Sequence, residues 1–562
     1  MGRTIGIGIQ SFDKIRERNS FYIDKTGFIR EWWESGDDVT LITRPRRFGK
    51  TLNMSMVQEF FSIEYAHRAD LFENLDIWKD EKYRRLQGTY PVISLSFAGV
   101  KEKDYQNARK KICQLLTKLY AENAFLLESN LLYETDKAYF RRVCENMDDS
   151  DASLALSQLC DFLKRYYEKN VIILLDEYDT PMQEAYVNGY WDELVAFTRN
   201  IFNSAFKSNP YMERAIMTGI TRVSKESIFS DLNNLKVVTT TSDEYATSFG
   251  FTQEEVISAL DECGYGDMQE QVRAWYDGFV FGQHRDIYNP WSILNFLDTG
   301  KIGTYWANTS SNSLIGKLLK EGSSSIKTNF EQLLKGKSIQ YPIDEQIVYE
   351  QLTFNEDAIW SLLLASGYLK VLQYEPMEMT ENDPVYELAI TNMEVRRMFR
   401  GMVQGWFKSI KTEYNSFIEA LLKGDLDTMN AYMNRIVLQA FSYFDTANDL
   451  LGEQPERFYH GFVLGLIVEL DEEYIISSNR ESGFGRYDVA LEPKDKTKNA
   501  VIIEFKVFNP RKEKTLEDTV HTALEQIEEK KYETALITRG IPKERIYKYG
   551  FAFEGKNVLI GE

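Results

Sequence analysis

The stretch Val39-Thr-Leu-Ile-Thr-Arg-Pro-Arg-Arg-Phe-Gly-Lys-Thr-Leu-Asn53 constrains this chain more than any other. Val39 to Thr43 reads as a buried strand, the next residues as a tight basic turn, and a helix starts near Gly49. Gly49-Lys50-Thr51 is the end of a phosphate-binding loop of the Walker A type. Backbone N–H groups at a helix N-terminus cradle phosphate, the lysine reaches the outer phosphates, and the hydroxyl holds Mg²⁺. The usual pattern has a glycine six residues before the lysine, and here that place is Arg44. A second half of the site is therefore needed further along. Val171-Ile-Ile-Leu-Leu175 supplies it, as a short apolar run of the kind buried on both faces of a parallel sheet. It runs into Asp176-Glu177-Tyr178-Asp179. At the end of such a strand Asp176 can hold Mg²⁺ through water, and Glu177 can orient or deprotonate the attacking water.

Two further apolar strands are expected, Tyr90 to Phe97 and Arg214 to Thr218. Between them residues 102 to 170 carry Ile112, Leu115, Leu116 and Leu119 at helical spacing. Strands alternating with helices specify an α/β fold with a parallel, doubly wound sheet, which binds ligands at its C-terminal strand ends. Lys50, Asp176 and Thr218 all fall there. The candidate nucleotide site is thus Arg46, Arg47, Phe48, Gly49, Lys50, Thr51 and Leu52 with Asp176 and Thr218, and Mg²⁺ falls to Thr51 and Asp176. Thr218, ending the strand beside the acidic one, is a candidate sensor of the γ-phosphate. Arg222 is either a charge-stabilising arginine, in cis or across the boundary of a homo-oligomer, or a solvated loop residue.

At 562 residues the chain needs two to four domains. Its net charge of -20 argues against a broad nucleic-acid-coating surface, so any such contact is local. The four cysteines (Cys113, Cys144, Cys160, Cys263) form no Cys-x-x-Cys pair, which suits reduced thiols in a cytoplasmic protein and disfavours zinc. No apolar run reaches the roughly 18 residues of a membrane span, so no membrane contact is expected.

Several strings together resemble the bacterial AAA-ATPase-like family. They are Tyr22-Ile-Asp-Lys-Thr26, Arg44-Pro-Arg-Arg-Phe-Gly-Lys-Thr51, Leu175-Asp-Glu-Tyr-Asp-Thr-Pro181, Thr218-Gly-Ile-Thr-Arg222, Ser230-Asp-Leu-Asn-Asn234, Tyr276-Asp-Gly-Phe279, Tyr288-Asn-Pro-Trp-Ser292 and Trp306-Ala-Asn-Thr-Ser310. The resemblance covers about the first 310 residues. It implies that an arginine in the first glycine's place is the family's habit. ATP is the expected nucleotide, although no base-specific motif tells it from GTP. Three arginines near the phosphates suit tight binding with slow turnover as well as hydrolysis. The expected organisation is a P-loop domain over 1–245, a helical lid over 246–330, a mostly helical linking domain over 331–450 and a different domain over 451–562. In the linking part, Gln373 to Pro384 reads as a loop or hairpin turn, and Asn392 as a helix cap.

The last part carries a second constellation. A strand from Ala500 to Lys506 follows a hairpin strand that contains Asp488. Residues two apart on a strand share a face, so Glu504 and Lys506 point the same way, and Asp488 can approach them. Two carboxylates holding Mg²⁺ or Mn²⁺, with a lysine steering water, make a site for metal-dependent hydrolysis. Asp488…Glu504-x-Lys506, with Gln526 and Tyr532 beyond, resembles the PD-(D/E)XK nuclease superfamily over about residues 455 to 560, and its RecB-type branch in the glutamine. This implies an α/β restriction-endonuclease-like domain, with Asp488, Glu504 and Lys506 catalytic and the two carboxylates as metal ligands. Glu481 reads equally as a further ligand or a surface residue, and His460 as a packed histidine. Residues 480–514 hold nine Lys or Arg against six Asp or Glu, and the lysine-rich turn from Pro493 to Asn499 offers a phosphate backbone a local surface.

The expected function is an ATP-controlled, metal-dependent nuclease acting on nucleic acid, DNA before RNA, with a place in defence or mobile-element processing. Two alternatives share the same residues. One is a nucleotide-gated binding protein that does not cut, and the other is an ATPase that remodels a protein partner.

Overall fold

The computed structural model describes residues 3–207, 209–221, 232–307, 313–343, 355–374, 385–406, 411–444, 468–482, 485–554 and 557–562, with a few isolated positions between them. Two compact units emerge, Met1–Ile315 with Gly336–Arg397, and Gly316–Lys335 with Met398–Glu562. Among the described residues no helix is long and apolar enough to cross a membrane.

The first unit is built on five parallel strands, β1 (Val39–Thr43), β2 (Val92–Ser96), β3 (Val171–Asp176), β4 (Met212–Gly219) and β5 (Leu235–Val238), in the order β2-β3-β4-β1-β5. Every residue of β1 (Val-Thr-Leu-Ile-Thr) and β3 (Val-Ile-Ile-Leu-Leu-Asp) is buried, as largely apolar strands covered by helices on both faces require. On one side Trp32, Phe60 and Phe61 pack with Ile42, Leu174 and Ile216 in a single core. Helices Tyr105–Glu122 and Asp149–Tyr167 lie against β2 and β3. The order puts β4 between the phosphate-loop strand and the acidic strand. The register sets Thr43 beside Gly219 and Asp176 beside Ser96, so the polar strand ends form one rim.

The same unit holds a hairpin, β6 (Phe279–Phe281) and β7 (His284–Ile287), and a three-stranded antiparallel sheet. That sheet consists of β8 (Ile339–Pro342), β9 (Leu369–Tyr374) and β10 (Val385–Ile390), with β10 central. The stretch expected to be mostly helical thus contains strands as well. The alternation Val-Tyr-Glu-Leu-Ala-Ile of β10 buries every second residue, which is the strand period. Residues 375–384, read as a loop or hairpin turn, lie outside the described residues. Asn392 does cap, accepting a hydrogen bond from the backbone N–H of Val395 at 3.1 Å at the start of helix Met393–Trp406.

The second unit carries a mixed sheet, β11 (Tyr474–Ser482), β12 (Gly485–Pro493), β13 (Ala500–Val507), β14 (Ile546–Glu554) and β15 (Asn557–Gly561), with β13 and β14 parallel and the other pairs antiparallel. Its two faces follow strand parity. Val489, Leu491, Val501 and Ile503 pack with Phe417, Leu421 and Met433 of helices Lys411–Lys423 and Leu426–Phe444. Ala490, Ala500 and Ile502 pack with Ile527 and Tyr532, beneath helix Leu516–Glu529. Even-numbered positions therefore face that helix, and Asp488, Glu504 and Lys506 are even-numbered.

Arg44 explains why the phosphate loop does without its first glycine. Its side chain is fully buried. The guanidinium donates to the carbonyls of Thr43 (3.1 Å), Thr239 and Glu244 (3.1 Å) and lies 4.6 Å from the ring centre of Phe281. Burial pulls its pKa down to about 9, which leaves it charged at neutral pH. It bolts the loop to the end of β5 and to the β6–β7 hairpin, so two arginines rather than three are left to meet phosphate. Arg44→Ala strands those carbonyls and is expected to cost roughly 3 kcal/mol, read as a lowered thermal midpoint. An unchanged midpoint with lost nucleotide affinity would instead make Arg44 a ligand contact.

Candidate functional site

Gly49, at φ 82°, caps helix Lys50–Phe61 in the left-handed region that only glycine enters freely. This turns the helix N-terminus toward the strand rim. The Lys50 ammonium donates to the carbonyls of Arg44 (2.7 Å) and Pro45 (2.9 Å), closing the loop around itself. Burial lowers its pKa, against the pull of Glu177, Asp179 and Asp176. Thr51 Oγ1 donates to Asp176 Oδ2 at 2.8 Å, and Thr218 Oγ1 to Asp176 Oδ1 at 2.5 Å. Burial raises the Asp176 pKa, and the two hydroxyls oppose that shift.

The loop and the acidic strand thus meet through one hydroxyl–carboxylate contact, and these hard oxygen donors fit Mg²⁺. A cavity of about 350 Å³ adjoins them, lined by Arg46, Arg47, Phe48, Gly49, Lys50, Thr51, Leu52 and Glu177, and by the apolar Phe21, Ile23, Phe251, Trp291 and Leu294. Cations on one part of the wall and apolar rings on another suit a nucleoside polyphosphate. Arg47 sits 4.4 Å from the ring centre of Trp291, and Arg46 donates to Gln183 Oε1 at 3.1 Å.

Glu177 holds a left-handed backbone (φ 51°), an uncommon state for a glutamate and one found at functional turns. Its carboxylate accepts from Thr180 Oγ1 at 3.1 Å. Thr218 is fully buried, and its hydroxyl also accepts from the Glu177 N–H at 3.3 Å. The structure therefore sets it behind the acidic pair rather than on the cavity wall. Arg222 lies outside the described residues. The strand end before it is fixed by Asp179, a residue the sequence reading passed over. Asp179 Oδ2 accepts from the backbone N–H groups of Ile220 (3.0 Å) and Thr221 (2.9 Å).

In the second unit the same-face expectation holds. Lys506 Nζ lies 3.9 Å from Glu504 Oε1 and donates to Gln526 Oε1 at 2.6 Å. Gln526 Nε2 donates in turn to Glu504 Oε1, and to Tyr532 Oη at 3.1 Å. Asp488 reaches over from β12, its Oδ2 accepting from the Phe505 N–H at 2.8 Å. Gly550, opposite Glu504 in the ladder, lets the covering helix approach, since a Cβ there would lie 2.8 Å from the Val520 carbonyl.

Burial raises the pKa of Asp488. Burial and the facing Asp488 push Glu504 to about 8. Glu504 Oε2 is buried with no hydrogen-bond partner. Two apposed carboxylates, Glu504 buried with an orphaned oxygen and Asp488 half-buried, fit a divalent cation. No group of three or more His, Cys, Asp or Glu that could hold a metal occurs among the described residues.

The basic surface departs from expectation. Lys494 donates to the Asp471 carbonyl at 2.6 Å, Lys496 pairs with Glu492 at 2.7 Å, and Lys498 pairs with Glu473. That turn enters β13 at the end away from Glu504 and Lys506, roughly 15 Å off at strand rise. Paired locally and distant, it does not flank the site. Arg511, Lys512 and Lys514, exposed on the loop that leaves β13, do lie at the site's end of the strand. Glu481 sits on β11 opposite Arg486, but its side chain and His460 are outside the described residues.

Comparison with known proteins finds family matches in both parts of the chain. Residues 6–229 match the family model described as Predicted AAA-ATPase, and residues 454–562 that of the PD-(D/E)XK nuclease superfamily. A relative from Azotobacter chroococcum mcd 1, described as "Uncharacterized protein in vnfD 5'region", is 26% identical over 396 residues, which is 70% of this chain and 68% of the relative. The chain therefore carries a predicted AAA-ATPase domain followed by a C-terminal domain of the PD-(D/E)XK nuclease superfamily.

Proposed function

We propose that the protein binds and hydrolyses ATP in its first unit and uses the nucleotide state to control metal-dependent cleavage of nucleic acid, DNA before RNA, in its second. The observation that carries the reading is the convergence of Asp488, Glu504 and Lys506 on one sheet face, with a buried carboxylate oxygen lacking any partner. A divalent cation held by Asp488 and Glu504 would polarise a scissile phosphate and lower the pKa of bound water. Lys506, fixed by Gln526, is aimed at the same carboxylates and would steer the attacking water and offset charge on the phosphate. In the first unit Lys50, Arg46 and Arg47 would bind the polyphosphate, Thr51 and Asp176 would hold Mg²⁺, and Glu177 would orient water.

A cleavage assay on plasmid, linear and single-stranded DNA and on RNA, with Mg²⁺ or Mn²⁺, tests this directly. Lys506→Ala and Asp488→Asn should each lose roughly a hundredfold or more in cleavage while nucleic-acid binding stays within about threefold. Binding by the wild-type chain with no cleavage of any substrate would favour the non-cutting, nucleotide-gated module.

The pKa of Glu504 gives a second test. A carboxyl that keeps its proton up to about 8 must release it to take a cation, so metal affinity should rise with pH. The expected slope is up to about tenfold per unit below pH 8, with a plateau above. Mn²⁺ titrations between pH 6 and 9 read it, and a flat profile would show that Glu504 releases no proton when the metal binds.

A further inference from the structure

The carbonyl of Arg46, in the phosphate loop, accepts two hydrogen bonds from residues far away in sequence. Trp306 Nε1 donates at 2.9 Å across 260 residues, and Asn289 Nδ2 donates at 3.3 Å. Both donors hang from one buried carboxylate. Glu394 Oε1 accepts from the backbone N–H groups of Tyr305 (2.6 Å), Trp306 (2.7 Å) and Ala307 (3.3 Å), which fixes the loop that carries Trp306. Its Oε2 accepts from Ser292 Oγ at 2.8 Å, on helix Pro290–Thr299, whose N-cap is Asn289. Glu394 is 1% exposed, and the four hydrogen bonds its carboxylate accepts come from Ser292, Tyr305, Trp306 and Ala307, all outside the loop.

The neighbouring strand ends press on the same loop. Gly367, at φ 82°, packs so closely on Pro45 that a Cβ would lie 2.8 Å from its Cγ. Thr391, three residues before Glu394, holds the Gly367 carbonyl at 2.8 Å. A buried acid that accepts four hydrogen bonds and organises both donors to one peptide of the loop does more than fill a core. Its loss would release Trp306 and Asn289 together.

We propose that Glu394 is a positioning residue for the phosphate loop, setting the Arg46 peptide through Trp306 and through the helix capped by Asn289. Nucleotide affinity then depends on a residue near the end of the first unit. The effect on nucleotide rests on the ATP reading above, whereas the effect on the loop does not.

Hydrogen exchange on the full, nucleotide-free chain separates the two. In Glu394→Ala and in Trp306→Phe, which keeps the ring and removes only the donor, amides 46–52 should exchange roughly fivefold faster. Those of β3 should be unchanged, and Glu394→Gln, which still accepts from the three N–H groups, should restore most of the protection. ATP affinity measured by calorimetry should fall roughly tenfold in Glu394→Ala, and the double variant should lose no more than the weaker single one. Wild-type exchange of the loop in both variants, or additive losses in the double, would overturn the assignment. If the wild-type chain bound no ATP, the nucleotide reading would fail and the exchange comparison would still decide the role of Glu394.

Discussion

One carboxylate ties the first unit's site together. Asp176 ends β3, yet its two oxygens accept from Thr218 on β4 and from Thr51 on the helix that follows β1. Because β4 lies between β3 and β1, these two bonds bind the ends of three adjacent strands into one rim. The left-handed turn at Glu177 joins that rim through its N–H on the Thr218 hydroxyl, while the Lys50 ammonium is held by the loop's own Arg44 and Pro45 carbonyls. An acid buried this deeply would lose its proton only reluctantly without such donors, and the two hydroxyls supply part of what burial takes away.

The second unit solves a related problem differently. Asp488 and Glu504 face each other under a covering helix, and burial, with the repulsion of Asp488 added, pushes Glu504 toward the neutral form. Gln526 bridges Glu504 and Lys506, keeping the lysine within reach of the carboxylates without a tight ion pair. An arrangement that is electrostatically unsatisfied by its own side chains is one that a cation would complete.

Much of this was legible in the sequence because the decisive signals are local. The unbroken apolar run Val171-Ile-Ile-Leu-Leu175 announced β3 and shorter apolar stretches announced β1 and β4, the position of a polar residue at a strand end announced the rim, and period-two spacing put Glu504 and Lys506 on one face. What escaped the sequence depends on contacts between distant segments. Nothing near Arg44 says that its guanidinium turns to carbonyls of Thr239 and Glu244 rather than to phosphate. Nothing near Trp306 or Asn289 says that both serve the Arg46 carbonyl, although both lie in strings that mark the resemblance. The lysine-rich turn misled because charge counted along the chain ignores where the ammonium groups go: Lys498 pairs with Glu473 and Lys494 turns to the Asp471 backbone carbonyl, both some twenty residues before it. The strands β8 to β10 sit among helical patterns and are short, which leaves their alternation a faint signal.

The central claim is that the nucleotide site governs the cleaving site, and the rate of metal-dependent cleavage with and without ATP tests it most directly. It should be followed in the wild-type chain and in Lys50→Ala, with the second site left intact. ATP should change the wild-type rate by roughly tenfold or more and leave Lys50→Ala unaffected, since the variant loses the cation that reaches the outer phosphates. Equal rates under all four conditions, from a chain that does cleave, would contradict it and leave two independent activities in one polypeptide.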